Sequence, residues 1–208
     1  GQNTTESGKG EGMMRIRLLF LGAAILFLCA CSATGSVPKE YLLPGSRPEA
    51  VDKTGTDLTA VRIYPVSLPE FLQERRMVII GESGRIHRAR HHQWAEPLAD
   101  QLGRIVRVQL AAALPEIDWR EASTPGERSC PGLLIRVDDF QVKDSGRALI
   151  SGHWRLFTPK GDTLVKERFR KDLPLPEAGY PAMVRVLSRG WTEVIWDVAR
   201  DLAETRIN

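Results

Sequence analysis

Residues 133–157, LLIRVDDFQVKDSGRALISGHWRLF, contain two runs of alternating apolar and polar side chains joined by the tripeptide DSG. Alternation with a period of two is typical of β-strands that bury one face, and a short Asp-Ser-Gly connection is typical of a tight turn. The alternation changes phase at Asp138 and Asp139, which predicts a β-bulge with two structural acids there. The stretch therefore predicts a β-hairpin, which TPKGD and TLVKERFRK extend to a three-stranded meander.

Elements with other periodicities flank this meander in the chain. Residues 96–115, EPLADQLGRIVRVQLAAALP, and residues 183–206, MVRVLSRGWTEVIWDVARDLAETR, carry apolar side chains at three-to-four spacing, which predicts two amphipathic helices. Pro97 suits a first helical position. TAVRIYPVSL predicts a strand, and RRMVII–GESG–RIHRARHH predicts a hairpin. We therefore expect an α+β fold in which a largely antiparallel sheet carries both helices on one face, as a single domain over residues 58–208.

The first 57 residues lack this periodicity. Residues 1–12 are polar, and we expect them to be a spurious upstream extension, with Met13 or Met14 as the true start. A basic segment then precedes the apolar run LLFLGAAILFL, which is shorter than the roughly 20 residues that a membrane-spanning helix needs. This order predicts a signal peptide that ends at residue 30. Residues 31–57 are rich in Gly, Pro, Ser and Thr and predict a flexible tether.

The signal region ends in Leu28-Cys29-Ala30-Cys31, the pattern of a bacterial lipobox, in which a small residue precedes the modified cysteine. Cys31 is therefore predicted to become the lipidated first residue of the mature chain. A plain secretory signal, or an N-terminal anchor with incidental cysteines, is the alternative. Several acyl chains, palmitate among them, would give stable membrane attachment. Ser32, where Asp would favour inner-membrane retention, indicates the outer membrane of a Gram-negative bacterium.

Composition and motifs exclude several classes of function. The chain has 29 basic and 26 acidic residues and no dense Lys/Arg stripe with interleaved aromatics, so no nucleic-acid partner is expected. It also lacks a nucleophile elbow, a P-loop, a dinucleotide fingerprint and a His-Glu-x-x-His motif. Cys130 lies in a turn-rich segment without a neighbouring base and is predicted to be a half-buried small side chain. We expect no catalysis and no cofactor besides the covalent lipid.

Histidines and tryptophans are the remaining candidates for a site. His87, His91 and His92 lie among arginines that would repel a metal ion, so a solvated strand-to-helix junction is favoured over a metal centre. Among the five tryptophans, two lie at positions where core packing is expected and two at edges that suit a partner or a membrane. The expected core residues are Trp154 and Trp191, and the expected contact residues are Trp94 and Trp196, together with Tyr180.

The order of four motifs resembles a known family. VRIYPVSLPEFL, HQWAEPLADQL, RVDDFQ…GRALISGHWRLF and GYPAMVRVLSRGWTEVIWDVA are similar to the PqiC-type auxiliary lipoproteins, the ABC-type transport auxiliary lipoprotein family, through about Ala203. No single motif is specific, but their order and spacing together are. The matching positions are Leu68, Pro69, Leu72, Trp94, Pro97, Leu98, Phe140, Gly152, Trp154, Tyr180, Met183 and Val184. The arginine-rich RIHRARHH departs from the more neutral residues common in the family.

The resemblance implies a non-enzymatic lipoprotein on the periplasmic face of the outer membrane. It also implies an MCE-domain partner, with its inner-membrane permease, in machinery that moves phospholipids or other hydrophobic compounds between membranes. A ring-forming homo-oligomer that receives the distal end of the MCE assembly fits this role. Two other classes stay open: a general envelope-assembly lipoprotein and, less favoured, a lipid-tethered periplasmic hydrolase.

Overall fold

The computed structural model describes residues 37–45, 55–122 and 129–206. The predicted signal peptide, Cys31 and most of the predicted tether lie outside these residues. The folded part is one compact unit that begins at Pro38. It consists of the strands β1 (Lys39–Tyr41), β2 (Ala60–Ile63), β3 (Arg76–Ile80), β4 (Ile86–Trp94), β5 (Asp118–Glu121), β6 (Gly132–Lys143), β7 (Arg147–Phe157) and β8 (Thr163–Pro174), the helices α1 (Leu98–Ala113) and α2 (Tyr180–Glu204), and a 3₁₀ turn at Glu70–Leu72.

Strand β6 organises the sheet, because it is the strand that joins the two halves. One edge of β6 pairs antiparallel with β7 along its whole length, and β7 pairs antiparallel with β8. On the other edge, the start of β6 pairs parallel with β2 and its end pairs parallel with β3. Strand β4 lies antiparallel beside β3, and β1 and β5 are parallel additions beside β4 and β2. The long ladders are thus antiparallel and the short ones are mostly parallel.

The predicted α+β class, meander, hairpin and two helices are confirmed. The bulge is also confirmed, since the β6–β7 register shifts between Val137 and Asp139. The four short parallel pairings and strand β5 were not predicted. Each joins segments that lie far apart in the chain, so no local turn or alternation reports them.

The folded part begins earlier than the predicted boundary at residue 58. Strand β1 pairs with His92–Trp94 of β4, and Leu43 is buried in the core. The backbone N–H of Leu43 donates a hydrogen bond to Oε1 of Gln101 in α1, at 2.8 Å. Within the predicted tether, Lys39–Tyr41 therefore belong to the sheet and Leu43 belongs to the core.

The bulge keeps both halves of β6 facing the helices. Leu133, Ile135 and Val137 before the bulge, and Phe140 after it, are at most 2% exposed. Opposite the bulge, a Cβ atom on Gly152 would lie 2.1 Å from the carbonyl oxygen of Arg136. No side chain fits at that distance, so the kinked ladder requires glycine at this position.

Both helices cover the same face of the sheet. Helix α2 packs against β6, β7 and β8 and against α1. The indole of Trp191 is fully buried between them: its Nε1 donates to the carbonyl oxygen of Leu102, and its ring meets Phe140 and Phe169 edge-on at about 6 Å. Helix α1 begins at Leu98, so Pro97 is its N-cap residue and not its first helical residue.

Candidate interaction surfaces

The family-motif positions build the core and its connections. Leu72, Leu98, Phe140 and Trp154 are buried, as are Met183 and Val184 at the start of α2. Leu68 packs against the core from its edge, and Pro69 and Pro97 precede the 3₁₀ turn and α1. These residues therefore position the elements, and the surfaces that could meet a partner lie elsewhere.

Trp94 is a core residue and not a surface contact, which corrects its assignment as a partner-facing side chain. It is 3% exposed, and its ring packs against Phe140 with 6.4 Å between ring centres. It is the last residue of β4, which pairs with β1 on one side and with β3 on the other. Trp154 and Trp191 are buried, as predicted. Trp196 is partly exposed on α2, and its contact with a partner stays a prediction.

Tyr180 is part of a stack of three rings. His92 lies between Tyr41 of β1 and Tyr180 at the start of α2, with its ring centre 5.7 Å from the first and 3.8 Å from the second. The hydroxyl of Tyr41 is 2.9 Å from Nδ1 of His92, within hydrogen-bond distance. The stack therefore connects β1, which lies within the predicted tether, to the start of α2.

The environment of His92 favours its neutral form. Burial lowers the pKa of His92 below its ordinary value, and the nearby charges of Lys39 and His91 lower it further. All three histidines lie within strand β4 and not at a strand-to-helix junction; His87 and His91 are exposed, whereas His92 is partly buried in the stack. Within the described ranges, no three His, Cys, Asp or Glu residues come together in a group that could hold a metal ion.

Ser151, His153 and two aspartates meet at the bulge, but not as a catalytic triad. The hydroxyl of Ser151 donates to Oδ2 of Asp139, while Nδ1 of His153 lies 3.9 Å from Asp138. In a nucleophilic site the serine would instead bond to the histidine that removes its proton. Cys130 is buried without a disulfide, close to its predicted state.

Two grooves lie beside the helices. A groove of about 610 Å³ runs between β8 and the end of α2 and contains Glu167, Asp197 and Asp201. Burial, followed by the negative charges of Glu167 and Asp197, raises the pKa of the Asp201 carboxyl. The second groove, of about 620 Å³, follows α1 past Leu43 and is mostly apolar, with Val108 59% exposed.

A third surface lies on the side of β7 and β8 that faces away from the helices. Lys166, Arg168 and Arg170 of β8 are exposed there, and their cross-strand neighbours on β7 are Arg155, His153 and Ser151 in turn. We call these six residues together with Arg136 of β6 the basic face. Counting charges along the sequence does not reveal the basic face, because the face forms only when three strands lie side by side. The local sign of this face in the sequence is KERFRK, in which Lys166, Arg168 and Arg170 alternate with other residues.

Neither of the described helices is both long enough and apolar enough to cross a membrane.

Comparison with known proteins gives a consistent result across most of the folded unit. The family model described as the ABC-type transport auxiliary lipoprotein component matches residues 41–199. The curated intermembrane transport lipoprotein PqiC of Escherichia coli K12 is 29% identical over 186 residues, which cover 86% of this chain and 94% of that relative. The PqiC protein of Shigella flexneri matches to the same extent.

Solved structures show the same fold. The crystal structure of an uncharacterized protein has a TM-score of 0.66 at 26% identity and covers 80% of this chain and 99% of its own. A protein from Xanthomonas campestris has a TM-score of 0.68 at 16% identity, over 77% of this chain and 92% of its own. The second likeness is one of fold alone.

Proposed function

Because the chain belongs to the family of ABC-type transport auxiliary lipoproteins, we propose that it works at the outer membrane as the docking component for an MCE-domain partner. The observation that carries this proposal is the extent of the match, which runs from β1 to near the end of α2. The bulge and the helix entry both lie within it. The relatives named above are intermembrane transport lipoproteins, which supports a role between two membranes.

The anchor in this proposal is Cys31. Acylation after signal cleavage would hold the mature chain on the periplasmic face of the outer membrane, where the length of chain before Pro38 sets its reach. Tethering raises the effective concentration of the domain for a partner that arrives from the inner membrane. A weak contact would then suffice for docking.

The partner is an MCE-domain protein with its inner-membrane permease, and the cargo is a phospholipid or another hydrophobic compound. A ring-forming homo-oligomer would present several copies of the docking surface to one partner. Trp196 and Tyr180 are the proposed contact residues, because both are partly exposed and lie on the same long helix. Large aromatic side chains at such positions often dominate binding energy.

Affinity capture of the lipidated chain from envelope extracts of its native host tests the proposal. We expect an MCE-domain protein and a permease to be recovered and identified by mass, and Trp196→Ala to reduce the yield several-fold. Val108→Ala is the matched control, since it trims an exposed apolar side chain on the other helix. Recovery of envelope-assembly proteins alone would contradict the proposal. Intact mass of the captured chain separately tests acylation of Cys31.

A further inference from the structure

Three cations of the basic face lack the acidic partners that many other cations of the described chain have. Elsewhere, arginines pair with acids, as in Arg75–Glu40 at 2.8 Å and Arg107–Glu121 at 2.9 Å. Within the described part of the chain, Lys166, Arg168 and Arg170 take part in no ion pair or hydrogen bond of their side chains. The charge of these three side chains is therefore available to a ligand.

The arrangement of these cations costs stability. Arg155 of β7 lies directly opposite Lys166 of β8. Like charges at facing positions of an antiparallel pair repel each other and destabilise the sheet. The guanidinium of Arg155 turns over the ring of Phe157, 4.8 Å from its centre, and not towards a carboxylate. An anion placed over the two strands would remove this repulsion.

Acidic side chains near the face do not neutralise it. Asp139 accepts hydrogen bonds from Ser151 and Gln141, so its carboxylate is already engaged. Oδ1 of Asp138 lies 3.5 Å from Nε of Arg136 and its Oδ2 lies 3.9 Å from Nδ1 of His153, in the same shallow depression as Arg168 and Arg170. The β8 cations and Arg155 remain uncompensated.

We propose that the basic face binds the anionic headgroups of a membrane. The charge is complementary to phosphate-bearing lipids, which attract surface lysines and arginines. A shallow depression of about 490 Å³ is lined by Arg136, Arg168 and Arg170 together with Asp138. Three guanidinium groups outnumber the one carboxylate there and give a headgroup phosphate several donors at once.

The make-up of the face favours a lipid surface over a protein partner. Protein interfaces have an apolar core with aromatic anchors and are depleted in lysine. Within the described ranges, the exposed large apolar side chains are Val37, Leu42, Ile86 and Val108, and none of them lies on β6, β7 or β8. The long, flexible side chains of lysine and arginine can follow mobile lipid headgroups, which do not require a surface of fixed complementary shape.

This inference goes beyond docking and is tested with the full chain in nanodiscs. A C-terminal histidine tag holds the chain on a small, equal fraction of nickel-chelating lipid in every disc, so attachment does not depend on acylation of Cys31. One set of discs contains phosphatidylcholine alone and the other contains about 30 mol% phosphatidylglycerol. The readout is the rate at which an amine-reactive reagent acetylates Lys166, measured by mass spectrometry, with Lys160 in the β7–β8 turn as the internal reference.

We expect phosphatidylglycerol to slow acetylation of Lys166 about tenfold relative to Lys160, and about 0.5 M salt to restore the rate. The double variant R168E/R170E should lose the protection. The control R85E/R90E changes the net charge by the same amount, at two exposed arginines of the β3–β4 hairpin that have no ion pair in the described chain. This variant should keep the protection of Lys166.

Equal rates of Lys166 acetylation in the two kinds of disc would overturn the inference. So would equal loss of protection in both variants, since net charge alone would then explain the effect. Protection by soluble polyglutamate in phosphatidylcholine discs, without protection by phosphatidylglycerol, would assign the face to an acidic protein partner instead. None of these outcomes bears on recovery of the MCE partner, so the two proposals fail separately.

Discussion

The two faces of the β6–β8 meander are formed by alternate residues of the same three strands, yet they differ in burial and in charge. On the helix side, Ile150, Trp154 and Phe169 are buried under α2. On the opposite side the cross-strand residues are Arg155 and Lys166, and His153 and Arg168, and both described helices lie on the other face. One face is therefore constrained by packing, and the other is free to carry charges that the fold does not need.

This difference shows where stability and binding are separated in the molecule. The covered face contributes the contacts that hold the sheet to the helices, such as the edge-on meeting of Phe169 and Trp191. The open face carries repulsions that lower stability slightly. Substitutions on the two faces should therefore have effects of different size, and at some positions of opposite sign.

The largest effect should follow truncation at the centre of the covered face. Trp191→Ala removes a fully buried indole that both helices and the sheet contact, and we expect it to cost about 3–5 kcal/mol in free energy of unfolding. Urea titration followed by circular dichroism measures the loss. Trp196→Ala on the same helix is the control, with an expected loss of under about 1 kcal/mol because its side chain is partly exposed. Equal losses would contradict the assignment of Trp191 to the core.

The next effect concerns the bulge that keeps the covered face continuous. Gly152→Ala would place a Cβ 2.1 Å from the backbone carbonyl of Arg136, and backbone cannot move aside as a side chain can. We expect a loss of about 2–3 kcal/mol, measured by the same titration.

Gly190→Ala on α2 is the matched control for this substitution. Its added Cβ would meet the ends of the Ile150 and Leu173 side chains, at 2.6 and 2.9 Å, and these can rotate. Alanine also favours the helix by about 1 kcal/mol over glycine, so the net loss should be clearly smaller. A larger loss at Gly190 than at Gly152 would indicate that the bulge tolerates a side chain.

The covered face is also the part that sequence reasoning predicted well. Alternation in residues 133–157 and the phase change at Asp138 were local signals, and they predicted both strands and the bulge correctly. The three-to-four spacing around Trp191 predicted its burial in the same way. Antiparallel neighbours joined by tight turns need no long-range information, because the turn itself sets the pairing.

The parts that were missed depend on contacts between distant segments. The burial of Trp94 depends on β4 lying between β1 and β3, and β1 is more than fifty residues away. The ring stack joins Tyr41, His92 and Tyr180, which no local pattern relates. The basic face likewise needed the register of β7 with β8 before Lys166 could be placed opposite Arg155.

A smaller effect should appear as a dependence of stability on pH. Because the pKa of His92 in the folded state is below its ordinary value of 6.5, the unfolded chain binds this proton more readily. The stability that neutral His92 contributes is therefore complete above the unfolded pKa. It is lost as the pH falls through 6.5 towards the folded pKa.

His92→Phe keeps a ring between the two tyrosines but removes the titrating group. Unfolding titrations at roughly pH 7.5 and pH 5.5 should show a smaller loss of stability on acidification for this variant than for the original chain. His87→Phe controls for the loss of an exposed histidine. An unchanged pH dependence in His92→Phe would mean that the stack does not disfavour the charged ring.

The smallest effect, and the one of opposite sign, belongs to the open face. Lys166→Glu replaces a like-charge neighbour of Arg155 by an opposite one, so we expect a gain of about 0.2–1 kcal/mol in free energy of unfolding. Lys160→Glu makes the same change in net charge in the adjacent turn and should leave stability nearly unchanged. A gain at residue 166 together with weaker binding to anionic nanodiscs would show that the open face trades stability for binding. A loss of stability at this position would indicate that the like charges are already separated by a contact within the fold.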